Sequence, residues 1–504
     1  MDERESEQKA AVHEDGPRRS LGSRLALLGV AFALMGTIIA LPSPAPMERG
    51  GDLIPLSWSG KAVLALLVAA IVLWITEVIP FSITALLAML LIPVMGIESF
   101  ANVVRIGFGN PIIAFFIGVL ILSSAFTGSG MGKRLSYSML SVMGTNTKMV
   151  ILGLLIVGAL LSMWVTDMAV AAILMPLGVS ILRQAGVKPL ESNLGKGLMI
   201  SCAWGPLFGG IATPSGCGPN PLTISYLKEL AEIDIDFITW MSLGTPAALM
   251  MIPVGWFLIT RLFPPEIERL PIGEGEIKKT LADMGPLSVK EKWTAAIFLL
   301  TICTWLVSPL LTKMTGGEVK IPLQAVALGG ALLLFLPGIE VISWKQAQRD
   351  VDWGGIILIC AGISLGMAVY NSGAARWLAW SFLGPVFQTP HVIRVFLIVL
   401  VVSALHMAFS SNTVTGTIII PLLIVLAKDL DINPWLVCAP AAFASSLAFI
   451  LVTETPTNVI PYSAGYFSIR DMATAGILMT VAAAACVGLS ILIVGAISGS
   501  YITP

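Results

Sequence analysis

Residues 409–421 read Phe-Ser-Ser-Asn-Thr-Val-Thr-Gly-Thr-Ile-Ile-Ile-Pro, small hydroxyl and amide side chains set between the apolar segments 393–409 and 418–427. Oxygens of Ser, Thr and Asn, with nearby backbone carbonyls, ligate a hard cation such as sodium. The same side chains donate hydrogen bonds to an oxyanion. If a helix begins inside this stretch, its first free N–H groups add an anion site that needs no Lys or Arg. One polar break therefore suits an anion and its accompanying cations together. A second break falls at Trp164, Thr166 and Asp167, inside the apolar run 150–182. Thr166 and Ser411 are 245 residues apart (411 − 166), and Pro176 and Pro421 are separated by the same 245, which marks an internal repeat.

The elements that must position these residues are membrane spans. Of 504 residues, 56% are hydrophobic and only 12% are charged, too apolar for a soluble chain of this size. Backbone that leaves a helix inside a bilayer survives only where protein or a water-filled cavity satisfies it, so the breaks read as a binding site. Two further breaks, 209–221 and 453–458, set Gly, Pro, Thr and Asn beside apolar sequence and predict unwound helices rather than surface loops. The net charge of −1 argues against nucleic acid as a partner. Six cysteines lie singly in apolar segments with no CxxC pair, which predicts small buried hydrophobes rather than a metal site or disulfides. His406, on the apolar arm before the second break, reads as a satisfied packing histidine. No Ser-His-Asp, HExxH or paired-carboxylate constellation is visible, so an enzyme is not expected, and no cofactor beyond the coupling ion is implied.

The sequence divides into a disordered cytoplasmic arm (1–20), a first transmembrane helix and loop (21–58), a first repeat (59–263), a charged connector (264–292) and a second repeat (293–504). The first repeat holds a hairpin at about 149–184 and a broken helix at about 197–230; the second holds them at about 393–429 and 434–466. This predicts an all-α polytopic membrane protein with about 11 transmembrane helices, two re-entrant hairpins and two broken helices. With the arm inside, most Lys and Arg fall on the cytoplasmic side, as the positive-inside rule requires, and the hairpins enter from opposite faces. Two inverted repeats with broken helices at the midplane describe a secondary transporter. The expected location is the plasma (inner) membrane.

From about residue 20 onward the chain resembles the divalent anion and sodium symporters, INDY-like di- and tricarboxylate carriers of the ion transporter superfamily. Ser411-Asn412-Thr413 matches that family's Ser-Asn-Thr signature, and Thr455-Pro456-Thr457-Asn458 is close to its Thr-Pro-Pro-Asn. Leu161-Ser162-Met163-Trp164 and the loop 209–220 also look like the family pattern. The resemblance implies a cation-coupled symporter of a small divalent anion such as a C4-dicarboxylate, working as an elevator-type homodimer in the lipid bilayer. It implies substrate contacts from Ser411, Asn412 and Thr413, joined by Thr166, Gly218, Thr455 and Pro456. One sodium would be held by Ser410 and Asn412, and the other by Ser162, Thr166 and Gly216. Coupling has a physical motive, since importing a dianion against an inside-negative potential costs about 2.3 kcal/mol per charge per 100 mV.

The first signature departs from the family, reading Thr166-Asp167-Met168 in place of Ser-Asn-Thr, and Glu454 stands in the second broken segment. Acidic groups have thus entered the neighbourhood of both cation sites, where a carboxylate tightens cation binding or carries a proton. Asp167 and Glu454 are therefore candidate cation-binding residues, and proton coupling stands beside sodium coupling. The plainer readings are that Asp167 caps a half-helix and that Glu454 points into an aqueous vestibule. Other classes kept open are an exchanger of carboxylate, sulfate or another oxyanion, a cation/proton antiporter and an ion channel.

Overall fold

The computed structural model describes residues 20–49, 52–271 and 274–498. The expected N-terminal arm therefore lies almost wholly outside the described residues. In chain order come α1 (Leu21–Ala40), the short antiparallel pair β1 (Met47–Arg49) and β2 (Asp52–Ile54), α2 (Trp58–Thr76), α3 (Phe81–Val94), α4 (Phe100–Phe108), α5 (Ile112–Gly128) and α6 (Met131–Ser141). Then follow α7 (Thr147–Ser162), α8 (Asp167–Gln184), α9 (Asn193–Gly210), α10 (Pro219–Ala231), α11 (Phe237–Leu262) and α12 (Glu274–Asp283). The second half is α13 (Val289–Met314), α14 (Leu323–Leu333), α15 (Trp344–Asp350), α16 (Trp353–Asn371), α17 (Ala374–Phe382), α18 (Gly384–Phe387) and α19 (His391–His406). It closes with α20 (Asn412–Asp429), α21 (Trp435–Ser446), a 3-10 turn (Val452–Glu454), α22 (Pro456–Tyr462) and α23 (Ile469–Ser498).

Among the described residues nine helices are long and apolar enough to cross a membrane, and five shorter apolar helices accompany them. The shorter ones include α7 and α19, which stop just ahead of the polar breaks, and α21, which ends at Ser446, so that the expected break at 453–458 opens earlier, in the apolar residues 447–451. α7 and α8 form one hairpin, and α19 and α20 the other; α9–α10 and α21–α22 are helices broken in the middle.

The two halves pack reciprocally. α5 lies on α14 as α16 lies on α3, and α9 sits against α7 and α8 as α21 sits against α19 and α20. Each broken helix crosses to the other half, α10 packing on α20 and α22 on α8. The reciprocity reaches single hydrogen bonds. The Trp74 indole donates to the carbonyl of Phe81, which opens α3, at 3.3 Å, and the Trp305 indole donates to that of Leu323, which opens α14, at 3.1 Å. The halves are not equally enclosed: 78% of α20 is buried, mostly against α16, α17 and its neighbours α10 and α21, against 44% of α8.

Among its described residues the connector carries α12 and is tied down at both ends. Glu266 accepts hydrogen bonds from the Ser192 hydroxyl at 2.9 Å and from the Asn193 and Leu194 amides at 2.5 and 3.1 Å, which caps α9 from outside. Arg134 of α6 pairs with Glu291 at 2.6 Å and reaches the Met284 and Gly285 carbonyls.

Candidate functional site

The first tip is the turn between Ser162 and Asp167. The loop of the first broken helix holds it in place: the Thr213 hydroxyl donates to the Met163 carbonyl, the Ser215 hydroxyl does so at 3.2 Å, and the Asp167 amide donates to the Gly216 carbonyl at 3.1 Å. Gly216 has to be glycine, since a Cβ there would lie 2.5 Å from the Gly210 carbonyl oxygen and 2.6 Å from that of Ser162. Two carbonyls thus crowd Gly216, and the Ser162 hydroxyl is buried with no hydrogen-bond partner. An orphaned buried hydroxyl beside clustered carbonyls fits a small hard cation.

Asp167 is the first residue of α8. Its Oδ1 accepts from the Met168 amide at 2.8 Å, the capping role weighed from sequence. Its Oδ2 accepts from the Cys217 thiol at 3.5 Å, and the Thr457 hydroxyl lies beside the same carboxylate. Thr166 faces Ser123 of α5, their hydroxyl oxygens 3.4 Å apart.

The second tip joins the first through the same loop. Asn412 Nδ2 donates to the Cys217 sulfur at 3.1 Å, and the Thr413 hydroxyl packs on Gly218, where a Cβ would sit 2.5 Å from it. Asn412 Oδ1 is buried and unpartnered. Ser410, Ser411, Thr413, Thr166 and Gly218 are half-buried and Pro456 is exposed, so the tips are not sealed within the core. Thr455 accepts from the Thr457 amide at 3.4 Å and caps α22.

Helix starts elsewhere show what the tips lack. Ser57, Ser99, Asn146, Ser192, Asp236, Ser288, Ser343 and Asp352 each accept a backbone N–H of the helix they open. Thr166 and Ser411 are the two described Ser, Thr, Asn or Asp N-caps whose side chains make no such bond. At the first tip Asp167 supplies a cap in its place; at the second tip no side chain of the N-cap residue does. The first amides of α20 and the Ser411 hydroxyl are left for a ligand.

The family model for the sodium:sulfate symporter transmembrane region matches residues 23–499. The chain belongs to this family. The sodium-dependent dicarboxylate transporter SdcS of Staphylococcus saprophyticus subsp. saprophyticus is 30% identical over 439 residues, 84% of this chain and 83% of that protein. SdcS of Staphylococcus aureus is 28% identical over the same shares. In fold the chain is similar to the Alcanivorax borkumensis YdaH transporter, with a TM-score of 0.54 at 14% identity over 95% of this chain and 99% of that one. Neisseria gonorrhoeae MtrF, whose structure illuminates a class of antimetabolite efflux pumps, gives a TM-score of 0.54 at 13% identity over 95% of this chain and 97% of that one.

For this symporter family member, the structure corrects two readings of single residues. Glu454 is not in a vestibule: it is 2% exposed, its Oε2 accepts from the Ile450 amide at 3.3 Å, and its Oε1 has no partner. At the end of the 3-10 turn and one residue before the α22 cap Thr455, it folds back on its own chain instead of reaching solvent. His406 is buried but not satisfied, since neither ring nitrogen is hydrogen-bonded although the ring lies beside Asn412 and the backbone of Glu454 and Ala444.

Three further residues escaped the sequence reading of the site. Cys217 links Asp167 to Asn412, and only its place beside Gly216 and Gly218 hinted at this. Asn220 donates to the Gly210 and Thr213 carbonyls at 2.7 and 2.8 Å, and Asn458 donates to those of Ala448 and Leu451 at 2.7 and 3.2 Å. The two asparagines do the same work 238 residues apart (458 − 220), as do their acceptors (448 − 210 and 451 − 213). Each holds a helix break open by satisfying the carbonyls that the break frees.

Proposed function

We infer that the protein is a sodium-coupled symporter of a small divalent anion, with a C4-dicarboxylate as its cargo, bound between the two hairpin tips. The observation that carries this reading is the unbonded N-cap of α20 together with two orphaned buried oxygens, Asn412 Oδ1 and Ser162 Oγ. Free amides and hydroxyls suit the anion, and orphaned oxygens among carbonyls suit the cations. Family membership and the sodium-dependent dicarboxylate transporters among its relatives support the same reading.

In this account Ser411, Asn412 and Thr413 take one carboxylate of the cargo. Thr166, Gly218, Thr455 and Pro456 complete the anion site. Ser162, Thr166, Gly216 and Asp167 surround one cation, and Ser410, Asn412 and Glu454 the other. The two halves insert with opposite orientation, the N-terminus lies in the cytoplasm, and the chain works as a homodimer in which the hairpins and broken helices move as an elevator. The reciprocal packing and the unequal enclosure of α8 and α20 support that movement, because an inverted pair seen in one state presents one hairpin as packed and the other as freer.

Thermal unfolding of the purified protein tests the site. Succinate should raise the thermal midpoint only when sodium is present, and Asn412→Ala and Thr413→Ala should each lose that succinate-dependent rise. A rise with succinate in choline as large as in sodium would rule out the coupled site.

A further inference from the structure

Cys217 stands between the two tips with both of its hydrogen-bonding capacities in use. A thiol has one proton to donate, and here it goes to Asp167 Oδ2 at 3.5 Å. With that proton directed at Asp167, the sulfur faces Asn412 with lone pairs alone. Asn412 must answer with its NH2 group, and does so at 3.1 Å. An amide has one oxygen and one nitrogen on a planar end, so fixing the nitrogen fixes the oxygen on the opposite side. That oxygen, in a side chain that is 8% exposed, makes no hydrogen bond, and the equally unbonded His406 ring lies beside the amide on the side away from the sulfur's donor. The Ser446 hydroxyl lies beside the sulfur and donates within its own helix to the Ala442 carbonyl at 3.1 Å, so it adds no second constraint on the amide.

We propose that Cys217 is a positioning residue: by passing the polarity of Asp167 across to Asn412, it aims the Asn412 oxygen into the second cation site. The departure from the family signature at Asp167 then acts at a distance. A carboxylate at position 167 and a carboxamide at position 412 are read through one thiol, and sodium binding at the second tip depends on a residue of the first. This deepens the reading given under Proposed function and rests on its assignment of Asn412 as a cation ligand.

The test needs sodium but no cargo, so a wrong cargo leaves it intact. The thermal midpoint of the purified full-length protein is titrated with sodium chloride against choline chloride at constant ionic strength. Wild type, Cys217→Ser, Cys217→Ala, Asp167→Asn and the Asp167→Asn/Cys217→Ala double variant are compared. Serine also donates one proton and accepts, so Cys217→Ser should keep the sodium half-saturation within about twofold. Alanine leaves the amide free to turn, and the half-saturation should rise about five- to tenfold, the worth of one hydrogen bond. Asp167→Asn should raise it at least as much, because Asp167 also surrounds the first cation, and adding Cys217→Ala to Asp167→Asn should raise it no further, because the relay is already broken. Alanine and serine variants with equal defects would make Cys217 a packing residue and overturn the proposal. So would a Cys217→Ala protein that binds sodium like wild type, additive effects in the double variant, or a wild type whose stability ignores sodium.

Discussion

At the scale of single residues, the site depends on groups that satisfy or leave unsatisfied the backbone of broken helices. Asn220 is fully buried and ties two carbonyls of its loop. Replacing it by alanine strands both, at a cost of about 2–4 kcal/mol. Asn220→Ala should therefore lower the thermal midpoint with or without sodium, a fall that separates it from the cation-specific variants. Glu266 gives a pH signature outside the membrane. Partial burial raises its carboxyl, but the Asn193 and Leu194 amides and the Ser192 hydroxyl outweigh that and hold it below the usual carboxylate range. A depressed carboxyl contributes stability at pH values above its unfolded value and loses it as pH falls through the folded one. Because Glu266 is exposed, solvent screening keeps the effect small. Glu266→Gln should flatten the acid side of a thermal stability profile and lower the neutral side slightly. Sequence shows the hydroxyl and amide runs because their chemistry is odd in apolar surroundings. It does not show Cys217, whose role comes from two neighbours at distant positions, 167 and 412.

Among the elements, three of the four helix interruptions were legible because each concentrates polar or helix-breaking residues inside apolar sequence; the fourth opens at Leu447, in the apolar residues 447–451, ahead of the polar residues 453–458 that mark it in the sequence. What could not be read was how the connector is anchored, since Glu266 and Arg134 act on partners 74 and 157 residues away. Nor could the aromatic column be read, in which Trp164 of the first tip stacks on Phe237 (ring centroids 6.2 Å, 8°) and Phe237 on Trp305 of α13 (4.8 Å, 10°). Lys320, just before α14, pairs with Asp234, just before α11. If the hairpins and broken helices move together against α13 and α14, this contact has to part in each cycle. Cysteines at positions 234 and 320, joined by a reducible thiol cross-linker in a Cys303→Ser background, should then block uptake, and reduction should restore it. Uptake that survives cross-linking would place α11 with the static helices.

For the whole molecule, composition and repeat spacing were enough to foresee a membrane transporter, because nearly every span announces itself by hydropathy. The packing of one half on the other was not, since it depends on which small residues meet; a Cβ on Gly118 would lie 2.5 Å from the Ala327 backbone, and one on Gly107 2.4 Å from the Cys360 carbonyl. We propose a single site between the two tips for one anion and its coupling cations. Uptake into proteoliposomes decides it most directly, with succinate, citrate and sulfate as cargoes and the sodium and pH gradients imposed separately. Saturable succinate uptake driven by an inward sodium gradient at constant pH and abolished in Asn412→Ala is expected. Succinate uptake that follows the pH gradient alone and ignores sodium would contradict it.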